Sequence, residues 1–164
     1  MSTQPKVYLE TTIASYLTAW PSRDLVMAAN QQVTREWWSK RRHDFQLFVS
    51  QIVIKESSAG DQDAAQHRLE FLKPFPRLDI TVEVEALAAQ LIADVPLPLK
   101  AQADALHIAV AAVHHMNYLL TWNCTHIANA TLRTAIERVC RSQGYEPPVV
   151  CTPQEILEQG EPFA

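Results

Sequence analysis

Five short apolar runs punctuate the chain: Val7-Tyr8-Leu9, Phe45 to Ser50, Leu78-Asp79-Ile80, Tyr118 to Trp122 and Val149 to Cys151. Between each run and the next lies at least one stretch with helical apolar spacing. Antiparallel strands can be joined by two-residue turns, whereas parallel strands need a crossover of a dozen or more residues, usually a helix. The alternation therefore predicts an α/β chain with a central, mostly parallel sheet of four to five strands and right-handed crossovers. At 164 residues and 48% hydrophobic composition, one domain over residues 1–164 with one sizeable core is expected.

The helices between these runs have legible limits. Thr11 and Thr12 can cap a short helix through Leu17, and Pro21-Ser22 separates it from a longer one expected from about Arg23 to His43. Leu25, Ala29, Val33 and Trp37 recur every four residues along it, which predicts an apolar stripe. A helix carrying Ile52, Val53 and Glu56 should follow the second strand and stop at Ser57-Ser58-Ala59-Gly60. Asp61 is placed to cap a helix ended by Pro74 and Pro76, and Thr81 one ended by Pro96 and Pro98. Further helices are expected from about Ala101 to His115, from Ala130 to Gln143, and from Pro153 onward.

Charge and cysteine content narrow the function classes. With 18 acidic and 14 basic residues, the formal charge of -4 lacks the basic footprint of a duplex-coating protein. A nucleic-acid substrate would need a local basic patch or a bound cation. Cys124, Cys140 and Cys151 are odd in number and contain no C-x-x-C pair, which argues against a disulfide framework or a thiolate zinc site. The N-terminus has no apolar signal core and no stretch approaches a membrane span, so a cytoplasmic location and no membrane partner are expected. Only Gly60, Gly144 and Gly160 occur, which leaves no glycine-rich loop for a nucleotide-binding domain.

Three carboxylates stand where such a sheet would aim them at one cleft. Glu10 closes the first strand, Glu56 falls one to two turns past the second, and Asp104 lies in the first turn of an alanine-rich helix; Asn123 follows the fourth strand. In open parallel sheets ligands bind beyond the carboxyl ends of the strands. Hard oxygen donors gathered there suit Mg²⁺ or Mn²⁺, which would also relieve their mutual repulsion. A cation so held can activate water and polarise a phosphodiester, the needs of a nuclease.

Each of these residues also has a plainer reading: helix capping for Thr11 and Thr12, dipole complement for Asp104, surface glutamate for Glu56, and turn formation for Asn123. Beside Glu10 at a helix N-terminus, Thr11 and Thr12 could instead position a phosphate. His107 shares a helix face with Asp104, and a hydrogen bond in the core or to a metal-ligating group suits it better than a ligand role, since no second histidine completes a zinc site; it is also a candidate, with Thr11, Thr12 and His126, for positioning the substrate. His126 could touch phosphate or simply begin a helix. Trp37-Trp38 with Lys40-Arg41-Arg42 reads either as a base-stacking patch or as core beside a solvated helix end.

Taken together, V-Y-L-E-T-T-I-A-S-Y-L at 7–17, T-R-E-W-W at 34–38, L-F-V-S-Q-I-V-I-K-E at 47–56, K-A-Q-A-D-A-L-H-I-A at 100–109 and L-L-T-W-N-C-T-H-I-A-N at 119–129 resemble PIN domains, specifically VapC-type ribonuclease toxins of bacterial toxin–antitoxin pairs. The resemblance implies a three-layer α/β/α fold, Mg²⁺- or Mn²⁺-dependent RNA cleavage, dimerisation and inhibition by an antitoxin protein. It carries the acidic positions of the family onto Glu10, Glu56 and Asp104 and the fourth onto Asn123. Aspartate is the commoner residue where Glu10 and Asn123 stand, so the reach of the first ligand changes and one negative charge is missing. The alternative is a PIN-like module with attenuated catalysis that binds RNA or a protein partner.

Overall fold

In the computed structural model, which describes residues 3–158, five strands form one sheet in the order β3-β2-β1-β4-β5. They are β1 (Lys6–Leu9), β2 (Gln46–Ser50), β3 (Arg77–Leu78), β4 (Tyr118–Leu120) and β5 (Val149–Cys151), and every neighbouring pair is parallel. Helices α1 (Thr11–Thr18), α2 (Leu25–Arg41), α3 (Gln51–Ser57), α4 (Gln62–Leu72), α5 (Val82–Asp94), α6 (Gln102–Val113) and α7 (Ala130–Ser142) supply the crossovers and make a three-layer α/β/α fold. Buried parallel strands read as continuous apolar runs. Val7, Tyr8 and Leu9 on the central strand are all fully covered.

This strand order sets the site. The chain steps from β1 outward to β2 and β3, then returns to the other side of β1 for β4 and β5. The direction of winding therefore reverses between β1 and β4, which opens a crevice at their carboxyl ends. Tyr8 pairs with Leu119 and Leu9 with Leu120, and the Glu10 N–H donates to the Leu120 carbonyl at 3.1 Å as the last rung. Glu10 thus sits at the lip of the crevice.

Helix α6 closes one side of it. Ala105, Ile108, Ala109, Val110, Ala111 and Ala112 are buried, small side chains that let the helix lie close to the sheet and to α5. His107 is buried with them at 0% exposure. The helix ends as His114 caps it and His115 turns to a φ of 60°.

Several expected limits shift for physical reasons. The cap of α1 is Glu10 itself, whose side chain accepts from the Thr12 N–H, and both threonine hydroxyls are thereby released for other partners. Helix α2 starts after Asp24, whose carboxylate accepts from Met27 N–H, and gives way to a 3-10 turn at Arg42–Asp44. Its buried face is Gln31, Thr34 and Trp37, while Leu25 is 86% exposed. A strict four-residue repeat drifts about 40° per step at 3.6 residues per turn, so the expected stripe rotates away from the core.

Strand β3 covers only Arg77–Leu78, because its register with Val49 and Ser50 runs out at the end of β2. Strand β4 ends at Leu120, where Thr121 and Trp122 turn to hydrogen-bond with Glu10 and Thr12. A 3-10 turn at Leu99–Ala101 precedes α6. From Pro153 the chain makes turns through Glu158 rather than a helix, and the rest of that expected helix lies outside the described residues. Trp37 is core, and Trp38 packs against Phe71 and Phe75 with Arg42 over its ring, so the aromatic pair serves packing rather than an open stacking face.

Candidate metal centre

Glu10 is nearly buried, with 4% of its surface exposed, and its Oε1 is held three times. The Thr12 N–H donates to it at 3.1 Å, the Thr12 hydroxyl makes a short bond, and the Thr121 hydroxyl donates at 2.7 Å. Glu56, in the second turn of α3, has a parallel arrangement. Its Oε1 accepts from Thr11 Oγ1 at 2.6 Å and lies 2.6 Å from His107 Nε2. Among the described residues, Oε2 of each glutamate has no protein partner. Two carboxylates are thus each pinned by one oxygen and offer the other.

The ligand atoms of Glu10, Glu56 and His107 all lie within 4.8 Å of one another. At that separation the two carboxylates can share one divalent cation. Burial alone would raise the Glu56 pKa. The hydrogen bond and electrostatic attraction of His107, with the Thr11 hydroxyl, outweigh it and hold the carboxyl below its usual value. Hard oxygens of this kind fit Mg²⁺ or Mn²⁺.

Asp104 stands beside this trio and not within it. Its Oδ1 accepts from Asn123 Nδ2 at 3.0 Å and its Oδ2 lies 2.8 Å from His126 Nδ1. Asn123 in turn accepts the Thr125 and His126 N–H groups on its Oδ1 and so shapes the turn after β4. Its own N–H donates to Thr121 Oγ1 at 2.9 Å. The Thr121 hydroxyl therefore links Glu10 to the Asn123–Asp104 group.

Thr11, Thr12 and His107 contact the two glutamates directly, whereas Asp104, Asn123 and His126 form a second group joined to Glu10 through Thr121. The sequence reading missed Tyr8, Ser50 and Thr121. Tyr8 had a signal: a tyrosine inside a buried strand must bring its hydroxyl to a partner. That partner set is Ser50 Oγ at 2.8 Å and His107 Nδ1 at 2.6 Å. Burial, with the nearby charges of Glu10 and Glu56, pushes the Tyr8 phenol well above its ordinary pKa against the opposing pull of the Ser50 bond. It stays a neutral hydroxyl.

The PIN domain family model matches residues 7–123, a span running from β1 to the residue that follows the β4 turn. The chain belongs to the PIN domain family, whose members are generally nucleases. No curated protein matches it significantly. Among solved structures it is similar to a chain of VapBC2 from Rickettsia felis, solved bound to a DNA fragment from its promoter. The identity is 14%, the TM-score 0.51, and the match covers 89% of this chain and 97% of that one. At that identity the likeness is one of fold. Among the described residues no helix is long and apolar enough to cross a membrane.

Proposed function

We propose that the chain is a divalent-metal-dependent endoribonuclease, the toxin of a toxin–antitoxin pair, that hydrolyses RNA phosphodiesters in the cytoplasm. The observation that carries this reading is the pair of glutamates, each with Oε1 held by fixed donors and Oε2 without one, whose ligand atoms come within 4.8 Å of each other. The residues that would hold Mg²⁺ or Mn²⁺ are Glu10 and Glu56, with Asp104 and Asn123 completing the site directly or through water. When bound, the ion supplies a polarised water and offsets charge on the phosphodiester.

The chain's own residues do the rest. Thr12 and Thr121 keep Glu10 in one rotamer, and Thr11 does the same for Glu56, so the ligand oxygens need little reorganisation on binding. Asn123 and His126 orient Asp104 at the opposite wall. At the N-terminus of α1 the Thr12 N–H donates to Glu10 Oε1 and the Ile13 N–H to the Glu10 carbonyl, so the positive end of the helix favours the ionised Glu10 carboxylate. His126 could touch a substrate phosphate from the turn after β4. The three thiols, all unpaired, suit a reducing compartment. Similarity to a chain of VapBC2 supports a protein antitoxin as partner, and family membership supports a homodimer.

A second reading has its own observation. Both Asp104 oxygens are engaged by Asn123 and His126, and Asn123 brings no charge, so the third acidic arm is weaker than a three-carboxylate site would be. A PIN module that binds RNA or a protein without efficient cleavage would look like this. The two readings separate on a total RNA pool treated with purified protein in Mg²⁺ or Mn²⁺, with EDTA and Asp104→Asn controls. Cleavage abolished by EDTA and by Asp104→Asn supports the nuclease; intact RNA under both metals supports the binding module.

A further inference from the structure

We propose that His107 is a positioning residue rather than a metal ligand: it is the middle of a relay, Ser50–Tyr8–His107–Glu56, that fixes which oxygen of Glu56 faces the crevice. The proposal deepens the metal-site reading above and rests on it. His107 is the one residue of the close trio that is not a carboxylate, and its nitrogen lies near enough to the glutamate oxygens to be taken for a third ligand. The contacts around its ring argue otherwise.

Both ring nitrogens are engaged. Nε2 lies 2.6 Å from Glu56 Oε1, and because a carboxylate only accepts, Nε2 must donate there. A nitrogen carrying a proton toward Glu56 has no lone pair for a cation. Nδ1 points the other way, to Tyr8 Oη at 2.6 Å, inside the core. The ring is fully buried, as is Tyr8, and the two rings meet at 5.8 Å with a 52° tilt, so neither can swing out to the crevice without unpacking the face of α6.

The far end of the relay is anchored by backbone. Ser50 caps α3, its Oγ accepting from the Val53 N–H at 3.4 Å and lying 2.8 Å from Tyr8 Oη. Glu56 is carried by that same helix. Strand β1, helix α3 and helix α6 are therefore tied into one ring of hydrogen bonds: Ser50 to Tyr8, Tyr8 to His107, His107 to Glu56, and back along α3. The Glu56 side chain is 35% exposed and would otherwise sample several rotamers. With Oε1 captured by His107 and Thr11, only Oε2 is left to meet an ion. Partners of this outer kind typically change metal affinity 10- to 100-fold.

Mn²⁺ alone is the probe. Titration of Mn²⁺ into the full chain should show Tyr8→Phe weakening affinity about 10-fold and His107→Leu about 100-fold. His107→Gln, which returns an amide donor near the position of Nε2, should recover part of the loss. Tyr8→Phe guards against misfolding, because it removes one oxygen from a buried ring and should melt as a single cooperative transition. Pulsed EPR of the wild-type Mn²⁺ complex should lack a directly coordinated ¹⁴N. Strong ¹⁴N coupling, or unchanged Mn²⁺ affinity in Tyr8→Phe, overturns the relay while leaving the metal site standing; no Mn²⁺ binding by the wild type overturns both.

Discussion

Thr121 and Glu10, separated by 111 positions, are joined by a 2.7 Å hydrogen bond from the threonine hydroxyl to Oε1 of the carboxylate. It spans the point where the sheet changes its direction of winding. The same hydroxyl accepts from the Asn123 N–H, so one buried oxygen sets both walls of the crevice. Thr121→Val keeps the shape and deletes the bond. A buried hydrogen bond to a charged group contributes about 1.5–3 kcal/mol, and urea unfolding of Thr121→Val should show a loss of that size. A change confined to within about 0.5 kcal/mol, as at ordinary surface positions, would mean the bond does not hold Glu10.

A cation shared by Glu10 and Glu56 should stabilise the fold, and only while both carboxylates are present. At 100 times its Kd, a bound ion stabilises the folded state by about 2.7 kcal/mol. For a domain of this size that amounts to a melting shift of roughly 5–10 °C. Wild-type protein should show it on adding Mn²⁺. Glu10→Gln, which keeps the shape but removes one anionic ligand, should not respond to Mn²⁺. Equal Mn²⁺ shifts in both proteins would place the ion elsewhere.

Acid should weaken the fold through Glu56. Its carboxyl sits below the ordinary value of 4.5, so the folded state binds its proton less readily than the unfolded chain. The stability this supplies is fully present above about pH 4.5 and is lost as pH falls through the lower folded value. Unfolding free energy measured in EDTA between pH 6 and pH 3 should therefore fall less steeply in Glu56→Gln than in wild type. Superimposable pH profiles would contradict the pairing with His107 and Thr11.

The thiols should divide by burial. Cys140 and Cys151 are buried, and burial pushes their pKa values up to about 11 and about 12. Cys124 is exposed, although partial burial and Glu155 raise its thiol as well. A thiol is reactive as the thiolate, so at neutral pH a disulfide reagent should label Cys124 slowly and leave the other two until denaturant is added. Rapid native labelling of all three would show that α7 and β5 open readily.

How much of this was legible in the sequence follows from which forces act locally. The strands, the parallel sheet and most helix caps were readable, because apolar runs and capping side chains act over a few residues: Asp61 and Thr81 cap α4 and α5 as expected. The buried face of α2 was not, since Gln31 and Thr34 earn burial only through distant partners, Ser22 and Trp20 for one and Trp122 for the other. Glu10, Glu56, Asp104 and Asn123 could be assigned to one crevice from their places at element ends. What no spacing reveals is their grouping, with Glu56 tied to His107 and Asp104 to His126, because those bonds depend on how α6 is rotated against the sheet. The role of Thr121 was hidden for the same reason: a threonine ending a strand looks like any other until β1 lies beside it.

The most direct test of the metal centre is anomalous diffraction from crystals grown with Mn²⁺, collected for wild type and Glu10→Gln. The account predicts one strong peak between the Oε2 atoms of Glu10 and Glu56 in the wild type and its loss in the variant. A peak elsewhere, or one that survives Glu10→Gln unchanged, would contradict it.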